Sequence, residues 1–489
     1  MHPRLRRAAP ALAAAALAIS VAGAFAAARV PASPAPATDP APPYGAYVPP
    51  PPVRSYPSQP GRINGWVARA QLDSVRMHGW DVWESITRPS GEDSLPIWET
   101  WYSGYEVYTL EPAEARTRLR VGARRERKRD WELPHQFFHP AALGQKTDLR
   151  AMARMGHRIP VDTAEAVTSF NRYTRELAVA VVERGFNRAA VLDSINAAFD
   201  ARGTPVAQRK ISTSVDSVDA RQIALKPVFQ FISGTQPTVL PYWNGISPVN
   251  TDSLENPEPH TWRQGVVIDP TGKLRPGSRV WASVNGNPPD SLLVVPLSAI
   301  YHLRLTAADS AAFSDFAKTS GDDVGAGNLT DSLSVAAMVR PGNYALLTAM
   351  HVTTKEIANW TWQTFWWSPH PRAPFYGADR PRTIRGPWSN YNMDVAYWMA
   401  QPNRKGGDPW IAFNPYLETN LDGTVTVNGT AIAWTGVHSN CMSCHRMAGW
   451  QGGGNTPPYV PSGFISPADS SFFAGFTKLD FLWSITRAQ

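Results

Sequence analysis

The sequence predicts an α+β fold, in which a helical hairpin packs on a mainly antiparallel β-sheet or sandwich and a loop-rich segment follows. Apolar residues recur at helical spacing within residues 162–201. From about residue 224 the chain consists of short β-branched or aromatic runs, such as "KPVFQFI" and "GVVIDP", separated by Gly, Pro and Asn. These runs follow one another without regular helical crossovers, which favours antiparallel pairing.

The N-terminal residues predict an export signal over residues 1–26. Three arginines precede an alanine-rich apolar stretch, and "AFA" at 24–26 fits a small-x-small cleavage site. We therefore expect a periplasmic or extracellular protein. An uncleaved membrane anchor is the alternative, because the apolar stretch is about long enough to span a bilayer.

Pro-rich sequence over residues 27–60 predicts an extended, semi-rigid linker with no packed core, because proline fixes φ and removes a backbone donor. The folded part is expected to begin near Gly61. It divides into a mixed, helix-containing region (61–223), a β-rich region (224–385) and a C-terminal segment (386–489).

The helical hairpin is expected within residues 162–201. Asp162 with Glu165 makes a capping-box pattern at its start. One apolar face of the first helix is formed by Phe170, Tyr173, Leu177 and Val181. Gly185 can end this helix, and a second is expected over 187–200, before Gly203.

The β-rich region contains one especially long apolar segment, "NYALLTAMHVTTKEIANWTWQTFWW", at residues 343–367. It predicts one long strand or two consecutive strands. The chain contains 19 tryptophans, most of which we expect in the core or in a pocket wall, because each buries a large area while requiring a partner for its N–H.

The net charge of +7 is mildly basic and does not indicate a nucleic-acid partner. The basic charge is not spread evenly, since the stretch "RTRLRVGARRERKR" at residues 116–129 has eight Arg or Lys against one acid. This stretch predicts either a solvated face or a docking surface for an acidic redox partner or an anionic lipid surface.

Only two cysteines occur in the chain, and both lie in "CMSCH" at residues 441–445. Cys-x-x-Cys-His is the attachment sequence of c-type haem. Cys441 and Cys444 would add to the two haem vinyl groups, since two intervening residues let the backbone span that edge of the porphyrin. His445 would then lie under the ring as the proximal iron ligand. The cofactor predicted is one covalent haem c.

Two rival interpretations of the cysteine pair stay open. A thiol–disulfide redox pair usually opens a helix in a thioredoxin-like βαβ fold, whereas the sequence after Cys444 is short and rich in Gly, Pro and Ser. A structural zinc site needs about four ligands, and histidines would have to supply those beyond the cysteines. His135 and His139 also have a metal-pair spacing, but prolines bracket them.

The motif resembles that of c-type cytochromes. The longer chain is similar to large secreted cytochrome c family proteins with a single C-terminal motif, in segments such as "LPIWETW", "HVTTKEI" and "FNPYLET". The resemblance implies haem binding and electron transfer, and no particular reaction. Small soluble cytochromes c carry the motif near the N-terminus with a methionine ligand after it, and this chain departs from that order.

The sixth iron ligand must come from upstream, be water, or be absent, because Met447 is too close to His445 to reach the opposite haem face. His351 and Met393 are the candidates, although either residue type is also common in a core. A methionine ligand would raise the reduction potential. An open position would favour a haem-dependent oxidoreductase or peroxidase-like enzyme over a single-haem electron carrier. No distal acid–base pair is evident in the sequence.

Overall fold

The structure is a computed structural model in which residues Ala41–Gln489 form one compact unit. The described residues are 44–91, 95–126, 129–131, 167–243, 264–284, 288–319, 339–374, 376–402, 409–412, 414–418, 423–427, 430–434, 439–453, 455–457, 466 and 469–489. The helices and largely antiparallel sheets confirm the α+β class. Among the described residues, no helix combines the length and apolarity needed to cross a bilayer. The predicted export signal lies outside the described residues.

The helices are numbered here in chain order. They are α1 (Pro60–Ala68), α2 (Leu72–Thr87), α3 (Gly104–Tyr108), α4 (Pro112–Arg118), α5 (Arg175–Glu183), α6 (Ala189–Ala201), α7 (Ala307–Thr319), α8 (Pro415–Glu418) and α9 (Cys441–Arg446).

The strands are numbered in the same way. They are β1 (Tyr44–Gly45), β2 (Tyr102–Ser103), β3 (Arg125–Glu126), β4 (Val167–Ser169), β5 (Arg172–Tyr173), β6 (Asp219–Ile232), β7 (Thr238–Pro241), β8 (Gly265–Ile268), β9 (Arg279–Ala282), β10 (Asp290–Val295), β11 (His302–Arg304), β12 (Tyr344–Lys355), β13 (Thr361–Trp367), β14 (Tyr391–Val395), β15 (Gly423–Val427), β16 (Thr430–Trp434), β17 (Gly449–Trp450) and β18 (Thr477–Lys478).

The main sheet is antiparallel and has the strand order β14-β13-β12-β6-β5-β2, with β11 and β4 pairing to β12 and β6. A second sheet has the order β7-β8-β10-β9 and includes one parallel pair, β8 with β10. The antiparallel expectation therefore holds for the main sheet, and the segment 343–367 forms two consecutive strands, β12 and β13.

The main sheet has two faces that carry different chemistry, because successive side chains of a strand point to opposite sides. Met350, Phe365 and Met393 are register partners on one face, against which Trp83 of α2 stacks on Phe365 with ring centroids 4.2 Å apart. We call this the helix face. His351 and Asp394 are both register partners of Thr364 and lie on the other face, which we call the motif face.

The predicted hairpin is partly correct. Helices α5 and α6 are present, and Leu177 and Val181 lie buried in α5. Phe170 and Tyr173, however, belong to the extended segment of β4 and β5, whose backbone pairs with β6. Their apolar spacing is explained by this tertiary pairing, which overrides helical periodicity. Asp162 and Glu165 lie outside the described residues.

The linker prediction is wrong for its last part. Tyr44–Gly45 pairs with β3, and Tyr56 is only 3% exposed within the core. Arg54 donates to both Asp81 (2.8 Å) and Glu84 (2.8 Å) of α2. Proline suits this segment because extended chain can make side-chain contacts without a ladder, and Pro60 then occupies the first turn of α1.

Strands from all three predicted regions join in one sheet. The main sheet takes β2 from the first region, β12 from the second and β14 from the third. The β-rich region begins at Asp219 rather than at 224, and it contains helix α7 in addition to strands. The packed unit is thus organised around long-range strand pairing.

Candidate functional site

The cysteine motif forms the short helix α9, whose start is fixed by Asn440. The Asn440 Oδ1 accepts from the backbone N–H of Ser443 at 3.0 Å. Its Nδ2 donates to the carbonyls of Trp398 (2.9 Å) and Trp410 (2.6 Å). Asn at the N-cap satisfies one of the free N–H groups of the first turn. The same side chain therefore fastens the motif to the segment that follows β14.

Both cysteines are free thiols, Cys441 being buried and Cys444 half-buried. Burial raises the pKa of Cys441 well above its usual range and that of Cys444 to about 12, and the carboxyl of Glu418 adds to both effects. At neutral pH the two groups are thiols. A thiol–disulfide redox site needs the opposite, a lowered thiol pKa.

His445 is held in one orientation. Its Nδ1 donates to the carbonyl oxygen of Phe481 at 2.8 Å, which assigns the proton to Nδ1 and leaves Nε2 as the acceptor nitrogen. Its ring packs against that of Trp362, with centroids 4.3 Å apart. Burial lowers the pKa of His445 to about 4, so the imidazole is neutral at physiological pH. A neutral imidazole with a bonded Nδ1–H is the usual form of a metal-ligating histidine.

His351 lies near this motif, on the motif face of the sheet. Its Nε2 is 3.5 Å from Glu418 Oε1, and His351, Glu418 and Cys441 each place one donor atom within 4.8 Å of the others. The His351 Nε2 is buried and has no hydrogen-bond partner within the described part of the chain. Burial, followed by the charge of His445, lowers the pKa of His351 to about 3.

Glu418 lies in the short helix α8, where its Oε2 accepts from the backbone N–H of Asn414 at 2.5 Å. Burial raises its pKa to about 8, so its carboxyl is mostly protonated at neutral pH. The contact between Glu418 and His351 is therefore one between two neutral groups. Asp394, in register with Thr364 on the same face, has its pKa raised to about 6 by burial.

Met393 lies on the helix face and is fully buried. A Cβ placed on Gly79 of α2 would be 2.8 Å from the Met393 Sδ, so this side chain packs directly against that helix. The structure thus brings His351 together with Cys441 and leaves Met393 on the opposite side of the sheet. The sequence pattern gives both residues similar apolar surroundings and does not separate them.

Other residues of the site have weaker sequence signals. Glu418, Asp394 and Lys226 were not singled out in the sequence, yet Lys226 is the register partner of His351 and faces the same site. Strand alternation is the signal that places Asp394 on the face opposite to Met393. The position of Phe481, next to the motif in space and 36 residues away in sequence, has no local signal.

The basic stretch at 116–129 is not a uniform surface. The Arg125 Nη1 donates to Glu106 at 3.1 Å, and its Nη2 donates to the Thr100 carbonyl. Arg129 lies 3.4 Å from Glu99. The charges of these two arginines are compensated inside the fold, so the docking prediction depends on the other basic residues of the stretch. Among the basic residues of the stretch that the structure describes, Arg116, Arg120 and Arg124 are exposed to solvent. The predicted pair His135 and His139 lies outside the described residues.

The donor groups around the motif fit a covalently attached haem. Two free thiols and an imidazole with an available Nε2 lie on one short helix, and the buried Nε2 of His351 lacks a partner in the described residues. The group of His351, Glu418 and Cys441 also contains donor types that bind Zn²⁺, although a structural zinc site usually has four ligands.

No known protein family matches this chain, and no curated protein or solved structure matches it either.

Proposed function

We propose that this chain is an exported, single-haem c-type cytochrome that transfers electrons. The observation that carries the proposal is the hydrogen bond of 2.8 Å from His445 Nδ1 to the Phe481 carbonyl, beside two free cysteines on the same helix. This arrangement leaves Nε2 for a metal and both thiols for covalent attachment, and the haem motif of the sequence calls for the same three groups.

Cys441 and Cys444 are the covalent anchors. The two thiols would hold the haem through one thioether each to its vinyl groups. The bound haem supplies an iron that accepts and returns one electron. Covalent attachment prevents loss of the cofactor outside the cell.

His445 is the proximal ligand, and its surroundings determine the properties of the site. The Phe481 carbonyl fixes the imidazole tautomer and increases its basicity, while Trp362 excludes water from one side of the ring. Burial and axial-ligand type are the main protein contributions to a haem reduction potential. His351 is the better supported sixth ligand, because it lies on the motif face and Met393 does not.

A second function is favoured by the contact between His351 and Glu418. If the sixth position is open, a neutral imidazole and a protonated carboxyl lie beside it and can accept and donate protons to a bound small molecule. The protein would then be a haem-dependent oxidoreductase or peroxidase-like enzyme. Rapid carbon monoxide binding to the reduced protein supports this enzyme, and no binding supports the closed electron carrier.

The redox partner is proposed to be an acidic protein. Arg116 and Arg120 offer exposed positive charge on and after α4, which would steer an acidic partner toward this side. Replacing both with glutamine should slow electron exchange with such a partner and weaken its dependence on salt. An unchanged rate would exclude this surface.

The proposal is tested by the pyridine haemochrome spectrum of protein exported together with a cytochrome c maturation system, after acid–acetone extraction. Haem that stays with the polypeptide and is lost in Cys441→Ala/Cys444→Ala supports the proposal. Folded protein without covalent haem contradicts it. Analysis of metal content then separates the remaining candidates, since a zinc site would contain Zn²⁺ and a thiol redox pair would contain none.

A further inference from the structure

Strand β12 carries two residues of the haem-site region. His351 is the candidate sixth ligand, and Lys355 lies at the end of the same strand. The Lys355 side chain is 1% exposed, and its Nζ donates to both carboxylate oxygens of Asp480 at 2.7 Å. Asp480 directly precedes Phe481, the residue whose carbonyl accepts from His445.

The chain segment Leu479–Leu482 is a tight turn, closed by the Leu482 N–H donating to the Leu479 carbonyl at 2.9 Å. Asp480 has φ of 54° and Phe481 has φ of 66°. Positive φ at both central residues is the pattern of a type I′ turn, which Gly and Asn adopt more readily than a bulky Phe. A phenylalanine is therefore held in a conformation that it does not prefer.

Contacts of the Asp480 carboxylate hold this turn. Besides Lys355, it accepts from the Thr213 backbone N–H (2.8 Å), from Thr213 Oγ1 (2.9 Å) and from Trp360 Nε1 (3.4 Å). The Leu479 N–H also donates to the carbonyl of Ala448, which lies just after the motif helix. The side chain of Asp480 thus connects the turn to β12 through Lys355 and to the segment before β6 through Thr213.

We propose that Asp480, anchored by Lys355, is a positioning residue for the proximal histidine. It holds the Asp480–Phe481 peptide so that the Phe481 carbonyl faces His445 Nδ1, and it thereby sets the donor strength of the His445 Nε2. This inference rests on the proposed function. Strand β12 then contributes to both candidate iron ligands. It carries His351 directly, and it positions His445 through Lys355 and Asp480.

The test is the reduction potential of the exported holoprotein with Asp480→Asn. Asparagine keeps the shape but loses the charge that holds Lys355. A weaker Nδ1–H bond makes the imidazole a poorer donor to ferric iron. We expect the ferric form to lose stability relative to the ferrous form by about tenfold, a rise of about 59 mV for one electron.

Thr213→Val is a milder variant, because it leaves the ion pair intact and removes a hydroxyl that lies between Asp480 Oδ2 (2.9 Å) and Gln222 Oε1 (2.7 Å). It should move the potential in the same direction by a smaller amount. Asp379→Asn is the matched control. Asp379 likewise accepts from a cation, Arg76 (2.6 Å), and from a tryptophan, Trp80 (3.0 Å). Both donors belong to helix α2 and not to the motif face.

The results separate the inference from the proposed function. Wild-type protein without covalent haem overturns both. Covalent haem with the same potential in wild type, Asp480→Asn and Thr213→Val overturns the positioning role alone. If Asp480→Asn does not fold, the potential of Thr213→Val decides. An equal shift in Asp379→Asn means that any lost ion pair has this effect, and it also overturns the positioning role.

Discussion

Two neighbouring residues of β14 have different chemical surroundings, because they lie on opposite faces of the sheet. Met393 faces helix α2, and Asp394 faces the cysteine motif, because adjacent strand side chains point in opposite directions. His351 shares the face of Asp394 through their common register partner, Thr364. The roles that His351 and Met393 can take therefore differ, although both are largely buried in the same sheet.

Replacing the two candidate ligands should give opposite results. If His351 is the sixth ligand of the proposed haem, His351→Ala should shift the ferric spectrum toward high spin, because that ligand is lost. Met393→Ala should leave the spectrum unchanged and lower the free energy of unfolding by about 2–5 kcal/mol, as expected for a truncated core methionine. Absorption spectra and urea unfolding of each variant check this. A low-spin spectrum in His351→Ala would exclude His351 as the sixth ligand.

The raised pKa of Glu418 predicts that the free energy of unfolding depends on pH. Its pKa is raised by burial from 4.5 to about 8, so the folded protein keeps a proton that the unfolded chain releases in this interval. Its contribution is fully present below about pH 4.5 and is lost as pH rises through about 8, with a slope of at most about 1.4 kcal/mol per pH unit.

Glu418→Gln removes this titration, so its stability relative to wild type should increase from pH 5 to pH 8. The measurement is urea unfolding across this range. Glu114→Gln is the control, because Glu114 is exposed on α4 and pairs with Arg118 at 2.8 Å. Parallel pH curves for Glu418→Gln and wild type would contradict the raised pKa.

At the scale of elements, the β12–β13 hairpin lies between helix α2, on the helix face of the sheet, and the cysteine motif, on the motif face. Trp80 and Trp83 of α2 are fully buried and pack on Phe365 of β13. On the other side of the same strand, Trp362 packs on His445. Strand β13 is therefore covered by large aromatic side chains on both faces, and its Trp362 contacts the motif.

Close packing of α2 on the sheet predicts the effect of Gly79→Ala. Alanine normally favours a helix over glycine by about 1 kcal/mol. Here the new Cβ would lie 2.8 Å from Met393 Sδ and 3.3 Å from Gln363 Cγ. Overpacking of a filled core costs about 1–3 kcal/mol, so we expect net destabilisation in urea unfolding.

Gly61→Ala is the matched control, because a Cβ at Gly61 of α1 meets nothing within 4 Å. It should be neutral or stabilising. The double variant Gly79→Ala/Met393→Ala should be less destabilised than the sum of its single variants, since removing the Met393 side chain relieves the clash. Strict additivity would show that the contact is not the cause.

At the scale of the whole molecule, the compact unit is closed by chain segments far apart in sequence. The backbone N–H of Ser58 donates to Glu356 Oε1 at 2.6 Å, and the same oxygen is 3.1 Å from His78 Nε2. His78 Nδ1 is in turn 2.6 Å from the Tyr397 hydroxyl. The proline-rich segment before α1 is thus bonded to the β12–β13 turn and to the chain after β14.

This closure predicts two different truncation results. A chain that begins at residue 60, placed behind the same export signal, loses the Arg54 ion pairs and the burial of Tyr56. It should lose several kcal/mol of stability, since removing one buried aromatic side chain alone costs about 3–5 kcal/mol. A chain that begins at residue 41 should keep the wild-type Tm. If the chains that begin at residues 41 and 60 have equal Tm values in thermal unfolding, residues 44–59 act only as a linker.

The sequence alone determined those structural features that depend on residues close together in the chain. The strands β12 and β13, most of helix α5 and the glycines that follow α5 and α6 were predicted, because periodicity and turn chemistry act over a few residues. The chemistry of Cys441, Cys444 and His445 was likewise read from their spacing, and haem attachment there stays a prediction. The start of the fold was misplaced, because proline content does not reveal the later partners of Arg54 and Tyr56.

Tertiary structure alone decided which groups meet. It placed His351 and Glu418 beside Cys441, turned Met393 toward α2, buried Arg125 and aimed the Phe481 carbonyl at His445. The physical reason is strand register: a shift of one residue moves every side chain of a strand to the other face, and register is set by pairing with distant strands. The sequence by itself therefore determined the candidate chemistry of the motif, and long-range pairing decided which residues surround it.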